Sequence, residues 1–427
     1  MEFAVPLLER FLHAIVQLLI NPFYYIGVVF ILLQYRKQVQ LERKLFHTKL
    51  HSLLDETWRT LLWGWACGMA ASIVMMFIGV SVAAETIMLL WVTSLVLLLF
   101  RVRFLCFAYA AGILGIAHSI LSWLPNRAEL EGSAPMVQWL GQVDVPSLLV
   151  IAAVLHPLES FLVGMQGARM ASPLFLEGKR GKIVGGYQLQ GFWPVPMFLL
   201  VPFSGGSTES LPWGTMLHAD WSAGWSLLAF PVMIGFTELT ISKLPKAQTK
   251  LSASLLAVYG IVTLLLAWGA ALWTPLIMVS SLLTLLLHEA LIRYSQWREL
   301  KQVPFFVHGS RGLMVLAVIP KSPAEEMGIL AGETISKVNG HAVANKADLH
   351  AAIRINSAFC KLEVLDQRGE VRFMQRAIFS GDHHQLGIIL APDQQALYYM
   401  EHKPQHLFSY LRGKLTGVSS NQSGKPM

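Results

Sequence analysis

Nine stretches of this chain are apolar over roughly the thickness of a bilayer, and this limits its possible folds more than any other feature. A span needs about 20 apolar residues. The segments 11–35, 60–80, 84–100, 104–124, 146–164, 190–204, 223–240, 251–271 and 274–292 reach or approach that length. Charge is correspondingly scarce: only 14% of the 427 residues are charged, against roughly 25% in a soluble globular domain. The pattern predicts a polytopic α-helical membrane domain over residues 1–300, with eight or nine helices. Two stretches are interrupted. Asn21-Pro22 breaks the first, since proline removes a backbone donor and bends a helix, which leaves one bent span or a re-entrant pair. The segment 190–204 is short and holds Pro194, Pro196 and Pro202.

The loops between these stretches alternate in charge. Segments 36–59, 101–103, 165–188 and 241–250 hold fifteen Lys/Arg against four Asp/Glu, whereas 81–85, 125–145 and 204–222 hold one Arg against six acids. Lys/Arg-rich loops stay in the cytoplasm, so everything after residue 292 is expected there. The net charge of +7 follows from these flanks, and no basic, aromatic-studded fold for nucleic acid accompanies it. Cys67, Cys106 and Cys360 are too few and scattered for a disulfide framework. The N-terminal residues lack the basic region and cleavage site of a signal peptide.

Several features of the apolar part have plain structural readings. Gly64 and Gly68 have the small-xxx-small spacing of closely packed helices, expected here to serve intrachain packing. Trp58, Trp63, Trp123, Trp221, Trp225 and Trp273 cluster near span ends, as interfacial aromatics do. Segment 35–56 is basic and amphipathic, with Leu41, Leu45, Leu50, Leu53 and Leu54 as a stripe that would lie on the anionic inner leaflet or meet a partner.

From Arg311 the pattern changes to short strands and turns. A strand over 312–319 precedes a one-turn helix over 322–329, capped by Ser322 with Pro323 at its first position. A strand through Ile335 and Val338 ends at Asn339-Gly340, a tight hairpin turn. Residues 345–356 form an amphipathic helix, followed by two strands. This order, with "SPAEEMGI" and "AGETISKVNG" at its centre, resembles bacterial HtrA-like PDZ domains of the circularly permuted type. The resemblance implies a cytoplasmic α+β PDZ domain over 304–392, with a polar, flexible tail over 393–427. The carboxylate-binding pattern of such domains is met by Leu386, Gly387, Ile388 and Ile389. Glycine there lets successive N–H groups converge on an anion, and the following edge can pair with a peptide as an added strand. Asp348, Ala352 and Ile355 share one face of the helix and complete the expected groove. The competing reading makes 386–390 a closing core strand. His341, His350, His383 and His384 are expected to be solvated.

No catalytic signature is complete. A membrane zinc protease needs H-E-x-x-H. His288-Glu289 starts that motif, but Ile292 stands at the second histidine. Both residues lie close to the end of their span and are expected to reach the interface. "HTKLH" has Thr48 where a general base belongs. His156 and Glu159 share a face within a span and are expected to make an interhelical hydrogen bond. No GxSxG or phosphate loop occurs. No catalytic residue, metal or cofactor is expected.

The whole layout, from "NPFYY" through the multiple spans to "HEALIRY" and the PDZ motif, resembles the MinJ family of cell-division topological determinants of Gram-positive rods. The resemblance implies a multi-pass scaffold in the cell membrane, enriched at septa and poles, that binds membrane lipids and links DivIVA to MinC–MinD. A PDZ-regulated intramembrane protease is the alternative.

Overall fold

The computed structural model of the protein describes residues 4–100, 102–178, 181–207, 213–215, 217, 224–309, 311–356, 358–377, 386–393 and 399, without the side chains of 4, 102, 133 and 202–207. Apart from 393 and 399, the polar tail lies outside these residues, as do His383, His384 and Trp221.

Among the described residues, ten α-helices precede the PDZ region. Helices α1 (Ala4–Ile20) and α2 (Pro22–Phe46) meet at a 56° bend. Asn21 makes the bend a proper helix start: its side chain accepts the Phe23 N–H at 2.9 Å, and Pro22 occupies the first helical position, where no donor is needed. Helices α3 (Leu53–Ile78), α4 (Ala84–Phe100), α5 (Phe107–Trp123), α6 (Arg127–Ser133), α7 (Pro135–Gly141), α8 (Val145–Gln166), α9 (Pro245–Leu272) and α10 (Leu276–Lys301) follow. By length and composition, α3, α8, α9 and α10 can cross a membrane, and the bent pair makes a fifth; α4 and α5 are shorter apolar helices. Helix α9 turns Ile261, Leu265 and Leu272 outward, a face that suits lipid and not water.

Two of the nine apolar stretches are not helices. Residues 190–204 lie in strand β2 (Ile183–Ser207) and 223–240 largely in β3 (Trp225–Thr240), paired antiparallel from Tyr187 opposite Thr240 to Pro202 opposite Trp225. A short strand β1 (Ser172–Glu177) pairs with the start of β2. Proline explains the correction. Pro194 and Pro196 would each break a helix, but on a strand they point the same way, toward the edge that β3 leaves free. Pro231 opposes Pro196, a pairing that requires no ladder donor from either residue.

That free edge packs against α3. Gly64 and Gly68 let the helix approach so closely that a Cβ at either would overlap the carbonyl oxygen of Pro194 or Pro196. The small-xxx-small pair therefore serves intrachain packing, against a strand and not a second helix. Further along, the Phe198 N–H donates to Ser72 Oγ at 2.8 Å, while Ser72 donates to the Gly68 carbonyl at 2.7 Å. Leu200 then bridges to Ser81. In a bilayer no water is available for backbone groups. The edge meets this constraint by having no donor at 194 and 196 and a serine partner at 198.

The basic segment 35–56, which runs from the second half of α2 into the start of α3, is held inward. Glu42 accepts the Leu50 N–H (2.8 Å), the Ser172 hydroxyl (2.7 Å) and His51 Nδ1 (2.5 Å), tying the 47–52 turn to β1. Leu45 and Leu50 pack against apolar residues of β1 and β2, whereas Leu54 stays exposed. His51 also donates from Nε2 to the Arg169 carbonyl at 3.0 Å. Both ring nitrogens thus face acceptors. Burial opposes the charged form, but the Glu42 hydrogen bond and charge outweigh it and hold the His51 pKa above its ordinary value. A raised folded-state pKa adds stability that is present in full below the unfolded value of about 6.5 and lost as pH rises through the folded value. Wild type is therefore expected to lose thermal stability from pH 6 upward more steeply than His51→Ala. Melting both proteins across that range checks this; equal slopes would contradict it.

The PDZ region comprises β4 (Leu313–Val318), α11 (Pro323–Glu326), β5 (Thr334–Val338), β6 (His341–Ala342), α12 (Lys346–Ile355), β7 (Phe359–Leu365), β8 (Val371–Ala377) and β9 (Ile388–Leu390). The sheet order is β8-β7-β5-β4-β9, with β6 on β5. Ser322 caps α11, and Asn339-Gly340 turns the β5–β6 hairpin with both φ angles positive. One sheet face packs on α11 and α12 through Leu313, Val315, Ile335, Leu362 and Val364. The other face docks on the membrane domain, where Leu316, Ala317 and Ile389 meet Tyr187 and Leu189 of β2, with Phe306 from the segment before β4 between them. Tyr187 also donates to the Leu316 carbonyl.

Candidate functional site

Strand β9 ends the sheet path, so its outer edge has no strand partner among the described residues. The two residues before it form a tight loop. Gly387 has φ +76°, a left-handed conformation that only glycine adopts without strain. The loop's carbonyls face inward: Leu386 accepts the Ala324 N–H and Gly387 the Ile319 N–H, each at 2.8 Å. Leu386, Ile388 and Leu390 then pack into the PDZ core with Leu349, Ala352 and Ile353 of α12. Ile389 points to the opposite face and contributes to the docking on the membrane domain.

On α12 the three expected groove residues have different settings. Ala352 is buried in the core, and its carbonyl accepts a hydrogen bond from the Asn339 side chain at 2.9 Å. Asp348 caps its own helix: its carboxylate accepts the N–H groups of Ala344 and Asn345 while Asn345 accepts that of Asp348, a complete capping box. Ile355 is 59% exposed and offers the apolar surface at this end of the helix. Cys360 is fully buried in β7, and burial pushes its thiol up to about 11, so it is inert packing.

The structure corrects the reading of His288-Glu289. Helix α10 continues to Lys301, and His288 is buried against Tyr109, Tyr259 and His156 instead of reaching the interface. Glu289 is fully engaged, accepting from Arg103 (2.8 Å), Arg293 (2.9 Å) and Tyr109 (2.8 Å). It is not a free base beside a metal. The expected interhelical hydrogen bond from "HPLE" is made by His156 alone: its Nε2 meets Cys106 Sγ at the start of α5 (3.4 Å) while Nδ1 bonds to the Ala152 carbonyl of its own helix (2.6 Å), and Glu159 takes no part. Cys106, His156 and His288 come together although 182 positions separate the first from the last. Sequence reasoning missed this meeting because no short spacing encodes it.

The sequence model of the PDZ domain family matches residues 314–364, which covers β4 to β7. Over nearly the full chain there is a broader match. The cell division topological determinant MinJ of Bacillus subtilis (strain 168) is 28% identical over 381 residues, covering 88% of this chain and 94% of that protein. The chain is MinJ-like. Probable MinJ determinants of Lacticaseibacillus paracasei and Lacticaseibacillus casei (strain BD-II) are each 27% identical over 268 residues, covering 60% of this chain and 69% of theirs. No solved structure matches. A MinJ-like chain with apolar helices and a PDZ domain, a protein-interaction module, fits a division role without enzymatic chemistry.

Proposed function

We propose that this chain is a membrane-anchored scaffold of cell division, whose cytoplasmic PDZ domain recruits division-site proteins. The observation that carries the reading is the open edge of β9 beside an α12 that ends in exposed Ile355, preceded by a loop with a left-handed glycine. A peptide ending in a carboxylate would add to that edge as a further strand, with its terminus at Leu386–Ile388 and its last side chain toward α12. Asp348 and Ala352 would shape the groove from behind, one by capping α12 and one by filling its core side. Ile389 would act from the far face by fixing the strand on the membrane domain. By resemblance to the MinJ family, the partners are DivIVA and MinC–MinD, bridged at poles and septa.

Ile355→Asp tests the groove. The residue is exposed, so the change costs little folding energy (within about 0.5 kcal/mol for a surface site), but it places a charge where an apolar contact is proposed. The variant is expected to recruit at least about tenfold less partner to isolated membranes, with an unchanged melting temperature. Undiminished recruitment would remove Ile355 from the groove.

A further inference from the structure

We infer that Cys106, His156 and His288 bind a zinc-class divalent metal ion that clips α5, α8 and α10 together. The three residues come from three elements: Cys106 precedes the first turn of α5, His156 lies in the middle of α8, and His288 lies in α10. Cys106 Sγ is 3.4 Å from His156 Nε2 and 3.3 Å from His288 Nε2. The three donor atoms lie within 4.8 Å of one another. Tetrahedral zinc, with Zn–S of about 2.3 Å and Zn–N of about 2.0–2.1 Å, holds sulfur and nitrogen about 3.5 Å apart. The two sulfur–nitrogen distances thus already match edges of that tetrahedron.

The surroundings point the same way. The His156 Nδ1 bond to the Ala152 carbonyl fixes the tautomer, leaving the Nε2 lone pair aimed at the cluster, as metal-bound histidines are usually held. The thiol has a single proton to share between the two imidazole nitrogens that face it. His288 Nδ1 is buried with no hydrogen-bond partner among the described residues, so no bond at that nitrogen sets the ring's orientation. Glu159 is 9% exposed and makes no hydrogen bond or ion pair among the described residues. An unpaired carboxylate at this depth is costly. A divalent ion offsets the charge of the Cys106 thiolate that would hold it. Binding releases the thiol proton to solvent. A mixed sulfur–nitrogen set of three protein ligands suits zinc, with water in the fourth position.

The test uses the full chain in detergent, exchanged into chelator-free buffer, with zinc and cobalt as probes. Wild type is expected to retain about one zinc per chain after dialysis. Cobalt should give tetrahedral d–d bands and a thiolate-to-cobalt charge-transfer band. Cys106→His should keep the ion but lose the charge-transfer band. His156→Ala and His288→Ala should bind more than about 100-fold more weakly. If the alanine variants fail to elute as folded protein, the Cys106→His comparison decides. A wild type that retains no stoichiometric zinc, or a charge-transfer band that survives Cys106→His, overturns the inference. Partner recruitment plays no part in these readouts, so their failure leaves the scaffold reading untouched.

Discussion

Gly68→Val is expected to abolish accumulation of the folded protein. At this position α3 rests on the backbone of β2, and even a Cβ would lie 2.9 Å from the Pro196 carbonyl carbon and closer still to its oxygen. The obstacle is backbone on both sides, so no side-chain rotation relieves it. Overpacking a core typically costs about 1–3 kcal/mol and occasionally more, and a rigid contact between two main chains belongs at the upper end. The damage would also spread. Ser72 lies one turn further along α3 and supplies the acceptor for the Phe198 N–H; moving the helix outward leaves that donor unpaired where water is absent. Gly64→Val should behave in the same way at Pro194. Membrane yield and the thermal midpoint in detergent measure the effect. A variant with wild-type yield and midpoint would mean that α3 does not lie on β2 as described.

Gly387→Val is expected to destroy the proposed peptide groove by unfolding its loop, in contrast to Ile355→Asp. The substitution carries two penalties. Valine is β-branched and disfavours φ +76°, and its Cβ would lie 2.5 Å from Ser322 Oγ and nearer still to Ser322 Cβ. Ser322 is the cap of α11, so the clash strains that helix and the inward hydrogen bonds of Leu386 and Gly387 together. A loss of about 2–4 kcal/mol follows from strain plus overpacking. Partner recruitment and protease resistance of the PDZ region should therefore fall together, while the membrane helices remain intact. Lost recruitment with unchanged protease resistance would mean that the loop tolerates the side chain.

The two predictions also show what the sequence made legible. The PDZ region is readable because its signals are local: a cap at Ser322, a proline beside it, and the Asn339-Gly340 turn with positive φ at both residues. Helices α3, α8, α9 and α10 were readable from length and hydropathy alone. The β2–β3 hairpin was not, because a strand buried on both faces is continuously apolar and loses the alternation that marks a half-buried strand. The signal that remained was Pro194 and Pro196, spaced by two, a period that suits a strand edge and no helix. Residues 35–56 look like a free amphipathic segment only until Glu42, Gln38 and Ser172 are seen bonded together. The cluster of Cys106, His156 and His288 depends entirely on how α5, α8 and α10 pack, and no spacing along the chain could reveal it.

In the proposed scaffold role, the PDZ domain positions the chain at division sites. The most direct measurement is the position of a fluorescent fusion in a rod-shaped Gram-positive host, with and without DivIVA. The account predicts bands at nascent septa and foci at poles when DivIVA is present, and a dispersed membrane signal when it is absent. A uniform membrane signal in both strains would contradict it.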